Sequence, residues 1–268
     1  MNYTEPKVIY TCFPGGKHKV LTMSYDDGRL EDRRLVELFN RYGIRGTFNL
    51  NGGLPRPERI PESEWVELYK GHEVACHTYH HPTISRSPLD QTARQVLADR
   101  MQLEGVMGYP VRGLAYPNGS WTPEIAALLP IRDAIAAEHP ELTAADLDLI
   151  SYKLQKKVVR TWLLEDGKRF VELYKTQYLY MMYVWGHSFE FRTEEDWTLM
   201  EQFCQLAGGR EDTWYATNIE IVDYMADAAR LQYTAAGDKV CNPNAQSIWV
   251  EVDGRHYEIP AGKTVALV

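Results

Sequence analysis

The chain reads as an α/β fold, a distorted (β/α) barrel with a small C-terminal β appendage, and two observations lead there. Short apolar runs of strand length alternate with segments of helical periodicity along most of the 268 residues, the pattern of parallel β/α units. Polar residues capable of chemistry, Asp26, Asp27, His77, Asn118 and His187, stand just past the ends of those runs, the two aspartates sharing one. In a β/α barrel that end is where sites are assembled. With 44% hydrophobic content the chain can bury a large core. The expected organisation is one main domain over residues 1–236 and a β-hairpin appendage over 237–268 packed on it.

Taken in order, a turn-rich lead-in, F-P-G-G-K-H-K, precedes the first strand, and its His18 is expected to be exposed. The strand Val20 to Tyr25 then runs into Asp26, Asp27 and Gly28. While a strand continues, successive side chains point to opposite faces, so two adjacent carboxylates can serve one site only where the strand ends. Gly28 frees that turn. Arg29 to Tyr42 carries Leu35, Leu38, Phe39 and Tyr42 at helical spacing, and Gly43 stands where a C-terminal cap belongs. Arg45 to Leu50 is a second strand, Ser63 to Lys70 a short helix, and Glu73 to Cys76 a third strand ending at His77. Ser87 is expected to cap a helix running to about Met107, with Pro88 in its first turn and Asp90 following the cap. Val111 to Ala115 is expected as the next strand, Tyr116 to Gly119 as the loop at its end, and Trp121 to Leu129 as helix.

Pro130 to Lys175 has no clear periodicity. Within it Glu141 to Leu154 is expected to be helical, and the basic run Lys153 to Arg160 a solvated helix face. The pattern returns at Tyr178 to Trp185, an aromatic apolar strand ending at Gly186 and His187. Glu194 to Ala207 is an amphipathic helix, Trp214 to Thr217 a last core strand, and Asn218 the expected cap of a helix reaching Ala229. Near the C-terminus, Ser247 to Val252 and Arg255 to Ile259 flank Asp253-Gly254, a pair suited to a tight hairpin turn.

The net charge of −8 argues against nucleic acid or an anionic membrane as partner, since both repel an acidic surface. No apolar run is long enough to span a bilayer and the first residues lack a basic segment followed by an apolar one, so the expected location is cytoplasmic. Cys12, Cys76, Cys204 and Cys241 are scattered and form no C-x-x-C pair; they are expected to be free thiols, neither a disulfide framework nor a thiolate zinc site.

Two motifs carry a resemblance. Ser24-Tyr25-Asp26-Asp27-Gly28, followed by His77-Thr78-Tyr79-His80-His81-Pro82, resembles the polysaccharide deacetylases of carbohydrate esterase family four, the NodB homology domain, which carry [ST]-[FY]-D-D-G and then H-[ST]-x-x-H-P. The resemblance spans roughly Val20 to Ala229. It implies a divalent metal held by Asp27, His77 and His81, with His80 left aside by the family spacing. Zinc is the default, and cobalt or nickel also suit two imidazoles and a carboxylate. It further implies Asp26 as the base that deprotonates the metal's water for attack on an N-acetyl or O-acetyl group of a sugar or short oligosaccharide, Asn118 as a backbone donor to the oxyanion, and His187 as the acid that protonates the leaving group. Tyr79, Tyr116 and Trp185 lie near motif residues and are candidates for stacking on a sugar ring. Two departures stand out. Many relatives have arginine, paired with the base, where this chain has Ala115, and strand alternation points Arg112 the other way. The Asp and Trp that support the acid histidine in the family are not found between Gly119 and Tyr178. The rival readings are hydrolysis of a non-sugar C–N bond, as in the allantoinase-like members of the superfamily, and a sugar-binding protein whose chemistry is impaired.

Overall fold

The computed structural model describes residues 6–128, 147–153 and 159–268. Its central strand, β2 (Lys19–Asp26), is buried from Lys19 to Tyr25, as expected of a parallel strand covered on both faces. The polar residues on it are paired: Thr22 Oγ1 donates to Asn218 Oδ1 at 2.8 Å and Ser24 Oγ accepts from Asn49 Nδ2 at 3.0 Å. Strand β6 (Leu179–His187) runs parallel to all of β2, from Lys19↔Tyr180 to Asp26↔His187. Strands β7 (Thr213–Tyr215) and β3 (Gly46–Leu50) pair with successive parts of β2. With β4 (Glu73–Cys76) beside β3 and β5 (Leu147–Lys153) beside β6, the sheet order is β4-β3-β2-β6-β5. Every pairing is parallel, and among the described residues the hydrogen-bonded sheet does not close into a ring.

Seven helices are described: α1 (Asp32–Tyr42), α2 (Glu62–Leu68), α3 (Leu89–Met107), α4 (Pro123–Leu128), α5 (Val159–Glu172), α6 (Glu194–Ala207) and α7 (Asn218–Ala228). Gly43 ends α1 at φ 66, the left-handed cap its position suggests. Other caps differ from expectation. Ser87 makes no capping bond and α3 opens after Pro88. Helix α7 is capped by Thr217 in a capping box with Glu220. Asn218 turns inward instead, and its N–H donates to Thr47 Oγ1 at 3.0 Å.

Two expected elements are corrected. Val111 to Ala115 is no strand but a single parallel bridge, Leu114 to Cys76. The bridge is made by Cys76 N donating to Gly113 O and Ala115 N donating to Cys76 O, each at 2.9 Å, and β4 itself ends at Cys76, so the ladder goes no further. Leu147–Lys153, within the expected helix Glu141 to Leu154, is strand β5 in register with Leu179–Trp185; tertiary pairing overrides a weak local preference. Residues 141–146, and 154–158 of the basic run, lie outside the described residues.

The termini build two small antiparallel sheets. Strand β1 (Ile9–Cys12) joins β10 (Ile248–Val252) and β11 (Arg255–Ile259), while β8 (Gln232–Tyr233), β9 (Lys239–Cys241) and β12 (Thr264–Ala266) form the second. Val240, Val250, Val252, Ile259 and Leu267 are buried between them. The β10–β11 turn has Asp253 at φ 48 and Gly254 at φ 80, both left-handed as a tight hairpin requires. Because this hairpin covers the lead-in, His18 is not exposed: its side chain is 12% accessible and faces Glu251. All four cysteines are free. No helix among the described residues is long and apolar enough to cross a membrane.

Candidate metal centre and active site

Strand β2 ends at Asp26, and Asp27 takes φ 82. That left-handed step breaks the alternation and lets both carboxylates address one site. Thr78 at φ 64, His81 at φ 55 and Asn118 at φ 58 do the same. The other described non-glycine residue with positive φ is Asp253 in its hairpin turn. Such conformations cost about 1–3 kcal/mol each and collect at functional sites. Here they bring the expected residues together: one ligand atom from each of Asp27, His77 and His81 lies within 4.8 Å of the others. Asp27 Oδ1 is 3.7 Å from His81 Nε2, and Asp26 Oδ2 is 3.9 Å from His77 Nε2.

His77 is oriented for a ligand. Its Nδ1 lies 2.9 Å from the Ala115 carbonyl oxygen, which accepts only if Nδ1 carries the proton. Nε2 then presents its lone pair, and this atom is buried with no hydrogen-bond partner. A buried, orphaned imidazole nitrogen beside a carboxylate and a second imidazole fits a divalent metal. The backbone is held as firmly. Asp99, on α3, accepts from Gly52 N at 2.6 Å and His77 N at 2.9 Å. Burial pushes its carboxyl up to about 7 against the pull of those bonds. Asn51 Nδ2 donates to the carbonyls of His77 and Thr78 at 2.6 and 2.7 Å. Arg59 Nη1 donates to Asn51 Oδ1 at 2.7 Å and to the Asp27 carbonyl, and Nη2 lies 3.4 Å from Asp27 Oδ1. Burial works to raise the Asp27 carboxyl, but His77, Arg59, His81 and His187 outweigh it and hold it below the usual range. Burial, with His77 next, lowers His81, which keeps a ring nitrogen free to ligate.

Asp26 and His187 are register partners at the ends of β2 and β6. Asn49 Nδ2 donates to Asp26 Oδ1 at 2.7 Å, leaving Oδ2 toward His77. His187 Nδ1 lies 3.5 Å from Glu190 Oε1. Burial opposes its charge, yet Glu190, Asp26 and Asp27 raise it above the ordinary value. Asn118 is exposed on a short 3-10 turn, with Nδ2 donating to Thr83 Oγ1 at 3.1 Å. Tyr79 is half-buried against Gly53, and Tyr116 is half-buried. Trp185, two residues before His187 on β6, is 8% exposed. Arg112 is committed elsewhere, in a bidentate pair with Asp223 at 2.8 Å. A cavity of about 600 Å³ borders Asp27, and its lining includes the apolar Leu54, Ile60 and Trp65 and the basic Arg56 and Arg59.

Sequence reasoning missed Asn49, Asn51, Arg59, Asp99 and Glu190. Asn49 and Asn51 carried a signal, alternate polar positions at the end of an apolar strand; Arg59 and Asp99 reach the site only through tertiary folding.

A family model described as polysaccharide deacetylase matches residues 14–131. Over 125 residues the chain is 24% identical to the peptidoglycan-N-acetylmuramic acid deacetylase PdaC of Bacillus subtilis, an alignment of 46% of this chain and 26% of that protein. The chain thus spans about a quarter of the length of that curated relative. Among solved structures, the Xyl-CE4 domain of a multidomain xylanase from the hindgut metagenome of Trinervitermes trinervoides superposes with a TM-score of 0.54 at 14% identity, covering 78% of this chain and 92% of that one. A family 4 acetyl xylan esterase from Clostridium thermocellum, solved with a cobalt ion, gives 0.52 at 13% identity over the same shares. These likenesses establish the fold, the distorted barrel of the carbohydrate esterase family 4 deacetylases. The residues matched by the family model include both motifs, Ser24 to Gly28 and His77 to Pro82.

Proposed function

We propose that this protein is a metal-dependent hydrolase that removes acetyl groups from N- or O-acetylated sugars or short oligosaccharides. The observation that carries the reading is the buried, orphaned Nε2 of His77 beside Asp27 and His81, with Asp26 and His187 at adjacent strand ends. Bound by Asp27, His77 and His81, a divalent ion, zinc by default with cobalt or nickel also suited, supplies Lewis-acid activation of water and carbonyl. Asp26 accepts the proton of the attacking water on Oδ2, while Asn49 holds Oδ1 and fixes the carboxylate plane. His187, whose acidic neighbours raise it above the ordinary imidazole value against the effect of burial, gives its proton to the departing amine or alcohol. Glu190 takes the place of the carboxylate that supports this histidine in the family. Asn118 is the donor to the acyl oxygen, and Tyr79 and Tyr116 keep ring surface for a sugar, whereas Trp185 leaves little.

The test is acetate release from N-acetylated di- to tetrasaccharides by metal-loaded, chelated and His77→Ala protein. Release by the loaded wild type alone supports the reading. Equal release by chelated and loaded protein contradicts it.

A further inference from the structure

Far from the cleft, four potential ligands meet, two from near each end of the chain. Cys12 closes β1, His18 immediately precedes β2, and Glu251 and His256 are register partners across the β10–β11 hairpin. One ligand atom from each lies within 4.8 Å of the others. The turn between Cys12 and His18 is tight: Phe13 N donates to Lys17 O at 2.7 Å, and Gly15 and Gly16 take φ 78 and 73. Gly16 also makes room for a ligand, since a Cβ there would sit 2.9 Å from His256 Cγ.

The spacing is that of a coordination shell. His18 Nε2 and His256 Nε2 each lie 3.3 Å from the same atom, Glu251 Oε2. Two ligand atoms bound to one zinc at about 2.0–2.1 Å in a tetrahedron stand ~3.3 Å apart. His18 Nε2 is buried and makes no hydrogen bond. Cys12 is fully buried while the His256 side chain is 42% exposed, so the cluster has a closed floor and an open entrance.

We propose that Cys12, His18, Glu251 and His256 form a second divalent-metal site, structural in role, that ties the N-terminal strand and the C-terminal hairpin to the base of β2. A thiolate, two imidazoles and a carboxylate make a closed four-ligand set that selects zinc or cobalt over magnesium, calcium or manganese. Binding displaces the Cys12 thiol proton to solvent. The site takes no part in the cleft's reaction: β2 is 8 residues long, which at about 3.3 Å per residue places His18 roughly 25 Å from Asp26 and Asp27. The competing arrangement is metal-free, with Glu251 shared between two imidazoles and Cys12 an inert core thiol.

The experiment removes the cleft site with His77→Ala and loads cobalt(II). The expected result is thiolate-to-cobalt charge-transfer absorption in the near ultraviolet, absent when Cys12→Ser is added. With zinc, His77→Ala should retain one equivalent after dialysis and melt higher than its chelated form. Adding His256→Ala, a change at an exposed position, should weaken zinc binding at least ~10–100-fold. Should the His77 variant fail to fold, the comparison is wild type against His256→Ala, with one equivalent of zinc fewer in the variant. No charge-transfer band and no tightly held zinc in folded His77→Ala, or a band that persists without Cys12, would overturn the proposal, as would equal zinc content in wild type and His256→Ala.

Discussion

Replacing Asp99 by Asn tests whether the cleft is held from behind. Both carboxylate oxygens of Asp99 are used, Oδ1 by Gly52 N at 2.6 Å and Oδ2 by His77 N at 2.9 Å. Asparagine offers one oxygen and one NH2, so one of those backbone N–H groups loses its acceptor and faces a donor in a buried place. The cost of such an unsatisfied pair is ~1–3 kcal/mol. For a chain of this size each kcal/mol moves Tm by ~2–4 °C, so a loss of about 2 kcal/mol reads as ~4–8 °C. The measurement belongs at pH 8, where a carboxyl raised to about 7 is ionised and accepts at both oxygens. If His77 and His81, on one of the two segments it clamps, are metal ligands, zinc affinity, measured by chelator competition, should fall ~10–100-fold as well. A variant that melts early yet binds zinc as tightly as wild type would show that Asp99 only stabilises the fold, and unchanged melting would refute the hydrogen-bond argument itself.

Gly53→Ala places a Cβ 2.4 Å from the Tyr79 ring and 2.6 Å from the Tyr79 carbonyl oxygen; the ring can swing away but the backbone cannot. A cost of ~1–3 kcal/mol and a loss of turnover are expected, and undiminished activity would count against the packing of these two loops. Glu190→Gln removes a partner that raises His187 against the effect of burial, so the alkaline limb of kcat/KM should move to lower pH; an unmoved limb means His187 is not the acid. Glu73 accepts from Thr47 Oγ1 at 2.8 Å and Ile219 N at 3.0 Å, yet burial pushes it from 4.5 to about 7. Between those values the folded chain keeps a proton that the unfolded chain has released, so stability falls as pH rises across the window, by up to about 3 kcal/mol. Glu73→Gln should flatten that fall, and parallel Tm-against-pH curves for variant and wild type would contradict it.

The parts of the fold legible in the sequence are those set by local chemistry. Val20 to Tyr25 is apolar enough to be a central strand, Gly43 has no competitor as a helix cap, and the Asp253-Gly254 pair announces its hairpin. The approach of Asp27 and His77 was legible because strand ends in a parallel sheet share one face, and that of His81 because its motif spacing resembles the family's. What stayed hidden depends on partners distant in the chain. β5 is a strand because β6 offers it an edge, and β1 because the C-terminal hairpin does. Arg59 supplies a guanidinium near the carboxylates that Ala115 cannot, but it does so from the loop after β3 and on Asp27 rather than Asp26. Glu190 stands three residues past His187 on a short 3-10 turn, where no spacing rule marks it as the support of an acid. His18 looked like an exposed loop histidine because the hairpin that covers it begins more than two hundred residues later.

The central claim is that Asp26 is the base of a metal-dependent deacetylation. Its most direct test is the rate of acetate release from an N-acetylated tetrasaccharide by zinc-loaded wild type and Asp26→Asn, with metal content measured on the same samples. The amide is nearly isosteric and keeps one oxygen for Asn49 but cannot take the proton. The account predicts equal zinc in both proteins and a rate lower by ~10²–10⁴ in the variant. Wild-type rates from Asp26→Asn, at full metal occupancy, would contradict it.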